Sequence, residues 1–260
     1  MTVFLSKINY FWRVFATGFC FALFGIGGLL LTVFCFPLQK LVYRDPQKRQ
    51  AVARLTVHYT FKFFIRVMSI TGVGSFNVPD ARYFDKLQGQ LVLANHPSLI
   101  DVVVLISLMP NADCIVKAHL FKNPFIRGVI NNTGYISNCN PDELVTACNQ
   151  SLAQGNNLII FPEGTRSTVG QPLSFQRGAA NIALRCQASI TNFIIKVSPT
   201  TLTKSEKWYQ VPAKKFEFSL FVAPEISNTT ANTDNTLSKA SRVLTRELQS
   251  FFTEEVQKHE

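Results

Sequence analysis

The sequence predicts an α/β fold: a membrane-anchoring N-terminal helix or hairpin, followed by a single α/β domain with a central mixed sheet flanked by helices. An uncharged apolar run, Val14–Phe36, opens the chain. From about Gly72, short apolar runs alternate with helix-length segments, the pattern of a largely buried sheet. Two clusters of polar and charged residues each follow directly on an apolar strand, where open α/β sheets place their ligand crevice.

The first run would span roughly 35 Å as a helix at about 1.5 Å per residue, enough for a bilayer core of about 30 Å. It ends Val33-Phe34-Cys35-Phe36-Pro37, without the small residues of a signal-peptide cleavage site. Gly25, Gly27 and Gly28 leave room for a kink, so a transmembrane and a re-entrant or hairpin segment both fit. Lys40, Arg44, Lys48, Arg49 and Arg54 follow the run, while only Lys7, Arg13 and the terminus precede it. That asymmetry places the bulk of the chain on the cytoplasmic side. Residues 47–70 read as a helix in which Arg54, His58, Lys62 and Arg66 recur every four positions. Such a stripe can lie on anionic headgroups, or form the solvated face of an ordinary amphipathic helix. Residues 1–70 are thus read as a membrane-associated region and 71–260 as the α/β domain.

Within that domain, strands are expected at Gln90–Ala94, Cys114–Ala118, Gly134–Ser137, Asn157–Phe161, Ile190–Val197 and Phe216–Val222. Helices are expected at Ser98–Leu108, near Pro124–Asn132, from Asn140 to a stop at Gly155, near Phe175–Gln187 and over Leu237–Val256. Asn140-Pro141-Asp142-Glu143 carries a capping signature, with Asn before the helix, Pro first inside and Glu third. Ser227–Asn235 is polar and turn-rich, a loop before the last helix.

Composition narrows the partners. The chain has 260 residues, 47% of them hydrophobic, and 26 Lys+Arg against 16 Asp+Glu, a net charge of +10. The surplus suits nucleic acid, an acidic membrane face, or a phosphorylated or CoA-type substrate. A charged fraction of only 16%, 23 Phe and a mean hydropathy of +0.14 favour lipid. With no aromatic–basic platform, nucleic acid is not an expected partner. The six Cys are scattered, with no CxxC pair or ligand-spaced His, and read as buried reduced thiols, without disulfide or zinc.

The first polar cluster is Asn95-His96-Pro97-Ser98-Leu99-Ile100-Asp101. A helix starting here can fold Asp101 back beside the His96 imidazole, fixing its tautomer and stabilising the imidazolium formed on proton abstraction. Alternatively Ser98 caps the helix, Asp101 is its third residue and His96 is a structural loop residue. The second cluster is Phe161-Pro162-Glu163-Gly164-Thr165-Arg166-Ser167. Its glycine admits close backbone approach and its guanidinium matches phosphate, although Glu163 and Arg166 could simply pair with each other on a solvated turn.

NHxxxxD followed about sixty residues later by FPEGTRS resembles the glycerolipid acyltransferase family, of the 1-acylglycerol-3-phosphate acyltransferase type. The likeness covers roughly residues 85–200. Phe175-Gln176-Arg177-Gly178-Ala179-Ala180 is similar to the family's F-K-K-G-A-A helix start. Lys117 occupies the family's lysine before a short helix, with Pro124 and Gly128 matching beyond it. The resemblance implies an α/β acyltransferase domain in residues 71–260 that transfers a fatty acyl group from a CoA or acyl-carrier-protein thioester to a lyso-lipid hydroxyl. His96 would be the general base and Asp101 its orienting partner. Glu163, Gly164, Thr165 and Arg166 would shape the acceptor-head-group site, with Lys117 and Arg166 meeting its phosphate. No metal or cofactor is implied beyond the thioester co-substrate, and membrane lipids are the remaining partner. For a bacterial chain the site would face the cytoplasm at the inner membrane.

The chain departs from the family in two places. The G-x-I-F-I-x-R motif falls on Gly134–Asn140, so its arginine is Asn140, and the prolines of a P-x-x-P strand fall on Ser189 and Asn192. These changes touch the acceptor rather than the base. 1-Acylglycerol-3-phosphate leads as acceptor; another lyso-lipid, an amino-acid lipid or a specialised lipid also fits. A hydrolase would need a nucleophile, and no G-x-S-x-G occurs. A non-catalytic membrane-anchored scaffold is the reading of another class, supported by the two degraded motifs.

Overall fold

The computed structural model describes residues 2–168, 170–226 and 237–259. The expected loop Ser227–Asn235 lies outside the described residues. A mixed sheet of seven strands forms the centre: β1 (Gly74–Asn77), β2 (Leu91–Ala94), β3 (Ala112–Val116), β4 (Ile136–Ser137), β5 (Asn157–Ile160), β6 (Ile190–Ser198) and β7 (Phe216–Ala223). Their order is β1-β7-β6-β2-β5-β3-β4. The block β6-β2-β5-β3-β4 is parallel throughout, and β7 joins it antiparallel to β6, with β1 parallel to β7. The expected α/β class with a mixed sheet is therefore the observed one.

The middle strands are buried on both faces, as parallel strands covered by helices must be. Along β2, Val92 and Ala94 join the core beneath one helical layer, and Leu91 and Leu93 the core beneath the other. The first layer contains α3 (Pro46–Ile70), α5 (Asp101–Leu108) and α6 (Arg127–Thr133); the second contains α7 (Pro141–Ala153), α8 (Arg177–Cys186) and α9 (Leu237–His259). A short α4 (Ala81–Phe84) and the edge strand β1 were not legible in the sequence. Each is only four residues long, and β1 reads Gly-Ser-Phe-Asn, with no alternation to mark it. All six cysteines are free; Cys20, Cys114 and Cys148 are buried as expected, whereas Cys35 and Cys186 are only partly buried and Cys139 is exposed.

The N-terminal region is a pair of antiparallel helical runs: residues 2–42 form one continuous run, and α3 folds back along it after the break at Tyr43–Asp45, as the Phe24–Phe61 and Gln39–Thr56 contacts show. α1 (Thr2–Leu30) passes through a π turn at Leu31–Cys35 into α2 (Phe36–Val42). Pro37 does not end it. Within the π turn the Phe36 N–H already bonds the Leu31 carbonyl, five residues back, so the ladder has shifted before it meets a residue without an N–H. The glycines serve packing: a side chain at Gly28 would strike the Phe125 carbonyl, and one at Gly128 would strike Thr32. One stripe of this run packs on the domain through Ala16, Cys20, Phe24 and Phe36. The opposite stripe exposes Phe11, Phe15, Phe19, Phe34, Leu38 and Leu41.

α3 also differs from expectation. Asp45 caps it, accepting from the Gln47 and Lys48 N–H groups. The four-residue basic recurrence does not form one outward stripe, because Arg54 and His58 are buried while Lys62 and Arg66 are exposed. Arg54 reaches Asp113 of β3 at 2.9 Å and His58 Nδ1 meets the Ile106 carbonyl at 2.9 Å. Recurrence every four residues drifts around a 3.6-residue helix, carrying the N-terminal half of the series inward.

Candidate active site

Because β2, β5, β3 and β6 run parallel, their C-terminal ends share one edge of the sheet. His96 follows β2, the Glu163–Arg166 loop follows β5, Lys117 follows β3, and the segment from Pro199 to Thr203 follows β6. Topology alone thus brings four stretches far apart in sequence to the same edge of the sheet.

His96 and Asp101 are in contact, with Nδ1 to Oδ2 2.8 Å. The same Oδ2 accepts the Ser98 N–H at 2.8 Å. Asp101 therefore serves both as an acceptor at the helix start and as the imidazole partner, while the alternative in which Ser98 caps the helix is not the arrangement found. Ser98 does not cap the helix; its hydroxyl donates to the Thr201 carbonyl at 2.8 Å, and α5 begins at Asp101, three residues later than expected. Asp101 is fully buried, and its Oδ1 has no hydrogen-bond partner among the described residues. Burial pushes its carboxyl up to about 6, against the pull of His96 and the Ser98 N–H.

The imidazole is 16% exposed and stacks on the Phe161 ring, centroids 4.0 Å apart. With Nδ1 committed to Asp101, Nε2 has no hydrogen-bond partner among the described residues. The backbone around His96 is clamped from the second loop. Glu163 Oε1 accepts the His96 N–H at 2.9 Å and the Ser167 hydroxyl at 2.8 Å, while the Ser167 N–H donates to the His96 carbonyl at 2.7 Å. Burial also raises the Glu163 carboxyl, opposed by those two donors. Gly164 turns the loop at φ +66°, a conformation that favours glycine. From the other side, the Asn95 side chain exchanges hydrogen bonds with the Ile195 backbone of β6 at 2.7 and 2.8 Å.

Glu163 and Arg166 do not pair. Arg166 Nη1 donates to the carbonyls of Leu202 and Thr203, both at 2.8 Å, and Leu202 holds φ +53°. The Leu202 carbonyl also accepts the Leu99 N–H at 3.1 Å, so this strap is tied to both motif loops. Thr165 is half-buried, and Gly164 and Lys117 are exposed. The Asn140 side-chain amide donates to the Glu143 carboxylate at 2.8 Å across the start of α7, and Asn138 accepts the Ala118 N–H at 3.1 Å beyond Lys117. No role for Phe161, Ser167 or Leu202 was legible in the sequence, and Ser98 was legible only as a helix cap. Phe161 and Ser167 bracket the second motif, a signal that could have found them; nothing in the sequence marks Leu202.

Residues 75–196 match the sequence pattern of the protein family described as Acyltransferase. A 1-acyl-sn-glycerol-3-phosphate acyltransferase of Helicobacter pylori is 35% identical over 146 residues, 54% of this chain and 57% of that protein. The alpha form of the mouse enzyme of that name is 23% identical over 197 residues, 72% of this chain and 65% of its own length. The chain therefore spans less than two thirds of these curated relatives. The crystal structure of a 1-acyl-sn-glycerophosphate acyltransferase from Thermotoga maritima superposes with a TM-score of 0.64 at 20% identity, covering 96% of this chain and 98% of that one, a likeness of fold. The match to the Acyltransferase family pattern thus covers a little under half of the chain, the part from β1 to β6 that carries both polar clusters.

Proposed function

We propose that the chain is an O-acyltransferase that moves a fatty acyl group from a CoA or acyl-carrier-protein thioester to a lyso-lipid hydroxyl, with 1-acylglycerol-3-phosphate as the leading acceptor. The observation that carries this reading is the His96–Asp101 contact with Nε2 left open at the C-terminal edge of the sheet. A carboxylate accepting Nδ1–H selects the tautomer whose Nε2 is a bare acceptor, the state a general base needs. His96 Nε2 takes the acceptor's hydroxyl proton as its oxygen bonds the thioester carbonyl carbon. The carbon–sulfur bond then breaks, the imidazolium returns the proton to the departing thiolate, and an ester and a thiol leave. Asp101 steadies the imidazolium between those events. Phe161 holds the ring plane and the Glu163–Ser167 clamp holds its backbone, so the base does not have to be ordered on binding.

In this reading Arg166 and Lys117 meet the acceptor's phosphate and Gly164 and Thr165 line its approach. Arg166 has spare donors, since only Nη1 is used by the Leu202 strap. The membrane part of the reading rests on the helical run from Lys7 to Val42, which is long and apolar enough to cross a bilayer. Its contacts favour lying along one leaflet instead. α3, which packs on the domain and exposes Lys62 and Arg66, follows the helix from Trp12, whose indole donates to the Thr71 carbonyl at 3.0 Å, to Gln39, which donates to Thr56 at 2.8 Å. Over that length, about 40 Å at about 1.5 Å per residue, a perpendicular helix would draw polar surface of the domain into hydrocarbon. The exposed Phe and Leu stripe would insert instead, in the manner of an interfacial helix, with the site on the cytoplasmic face.

The test is incubation of the full chain with labelled acyl thioesters, CoA-linked and carrier-linked, and a panel of acceptors that includes 1-acylglycerol-3-phosphate and 1-acylglycerol. Mass analysis is expected to find acylated phosphorylated acceptor. Preference for 1-acylglycerol would remove the phosphate role of Lys117 and Arg166. No ester from any acceptor would favour an inert scaffold.

A further inference from the structure

A cavity of about 340 Å³ lies between the π turn, α2, the start of α3 and α6, and none of its lining residues belongs to the His96 site. Its chemistry is one-sided. Lys40, Arg49 and Arg127 surround it, with the amides of Gln50 and Asn131 and the Thr32 hydroxyl. No carboxylate lines it, and none of the ion pairs among the described residues involves these three cations. Cations gathered around one hollow repel each other until an anion fills it. Two guanidiniums and neutral amide donors suit a tetrahedral oxyanion in particular. The volume is that of a small-ligand pocket, about 300 Å³ or more.

The position supplies the source of the anion. Thr32, Phe36 and Lys40 follow one another along the N-terminal helix, with Phe36 buried against the domain, Thr32 partly buried and Lys40 exposed at the rim of the hollow. On the opposite side of the same turns Phe34, Leu38 and Leu41 are 67%, 61% and 80% exposed. The cationic hollow therefore flanks an apolar stripe, with acyl-chain-compatible surface and phosphate-compatible surface within the same two helical turns.

We propose that this hollow binds the phosphate headgroup of an anionic phospholipid in the bilayer that carries the protein, a resident lipid and not the substrate. The inference rests on the membrane attachment described above, and the two can fail separately. The full chain is sedimented with vesicles of phosphatidylcholine alone and of phosphatidylcholine with phosphatidylglycerol. Phosphatidylglycerol is expected to tighten binding by about tenfold or more, from the contribution of each cation near an anionic surface. K40Q/R49Q/R127Q should lose most of that gain yet still bind neutral vesicles. K239Q/R242Q/R246Q, which removes equal charge from exposed positions of α9, should keep it. Should the first triple variant not fold, R127Q alone, at an exposed side chain, repeats the comparison.

Equal losses in the two triple variants would reduce the effect to net charge and overturn the site. Inorganic phosphate at constant ionic strength should leave the gain intact; if it abolishes the gain, the occupant is a soluble phosphate and the lipid assignment falls. Binding to neutral vesicles with no gain from phosphatidylglycerol overturns the site alone. Failure to bind either vesicle overturns the attachment itself and the site with it.

Discussion

Asp101 is a buried carboxylate whose location opposes its own charge. Its carboxyl titrates at about 6 instead of the ordinary 3.8, because burial outweighs the donors from His96 and Ser98. The folded state therefore holds the proton more tightly than the unfolded state between those values. Stability is expected to fall as pH rises from about 4 to about 6, by an amount on the order of 3 kcal/mol that stays lost above that range. Asp101→Asn removes the ionisation while keeping an acceptor for the Ser98 N–H. It should be at least as stable as the parent near neutrality, with a flatter stability profile between pH 4 and 6, yet lose roughly 10³–10⁴-fold in acyl transfer through the wrong His96 tautomer. Thermal melts across pH together with turnover check this; an active Asn variant, or one clearly destabilised at pH 7, would count against it. The His96 and Asp101 pairing was legible in the sequence because five residues across a strand-to-helix turn keep the two side chains close. The Glu163 clamp and the Phe161 stack join residues more than sixty positions apart, and only the β2–β5 pairing brings them together.

Strands were legible where burial on both faces required a nearly unbroken apolar run, as in β2, β5 and β6, and helices where one buried face imposed a period, as in α9. Their ends were less so, since side chains with competing partners decide them. Ser98 looked like a cap and instead bonds Thr201; Pro37 looked like a stop and is carried by the π turn. Arg54 is the sharpest case, a cation in a helix that was open to a lipid-facing reading and that instead forms a buried pair. It contacts Asp113, which also accepts the Ser151 hydroxyl at 2.6 Å, and burial pushes the Asp113 carboxyl up against the pull of Arg54. Arg54→Met would leave that carboxylate buried without its cation. A loss of about 3–5 kcal/mol in denaturant unfolding is expected, whereas an exposed change such as Lys62→Met should fall within about 0.5 kcal/mol. Comparable small effects for both would mean that the Arg54 pair does not organise α3 against β3.

The molecule as a whole carries the His96 edge of its sheet and the exposed Phe and Leu stripe on a frame that ties them together. α1 passes Trp208 at Gly18 and Phe125 at Gly28, and these segments follow the β6 and β3 ends of the site. Phe34→Glu with Leu38→Glu alters only exposed side chains, and should weaken vesicle binding by at least about tenfold while leaving the melting temperature within a few degrees. Undiminished vesicle binding would place the attachment elsewhere. The α/β architecture and its mixed sheet were readable from alternating apolar runs, but the path of the N-terminal helix along the domain was not. Hydropathy gives a segment's length and apolar content, while its direction depends on long-range contacts such as Trp12 with Thr71.

The base role of His96 is tested most directly by single-turnover acyl transfer from a labelled thioester to 1-acylglycerol-3-phosphate, comparing the parent with His96→Ala. Loss of the imidazole should slow ester formation by about 10²–10⁴-fold with acceptor binding nearly unchanged. A His96→Ala protein that forms the ester at close to the parental rate would contradict a mechanism built on that nitrogen.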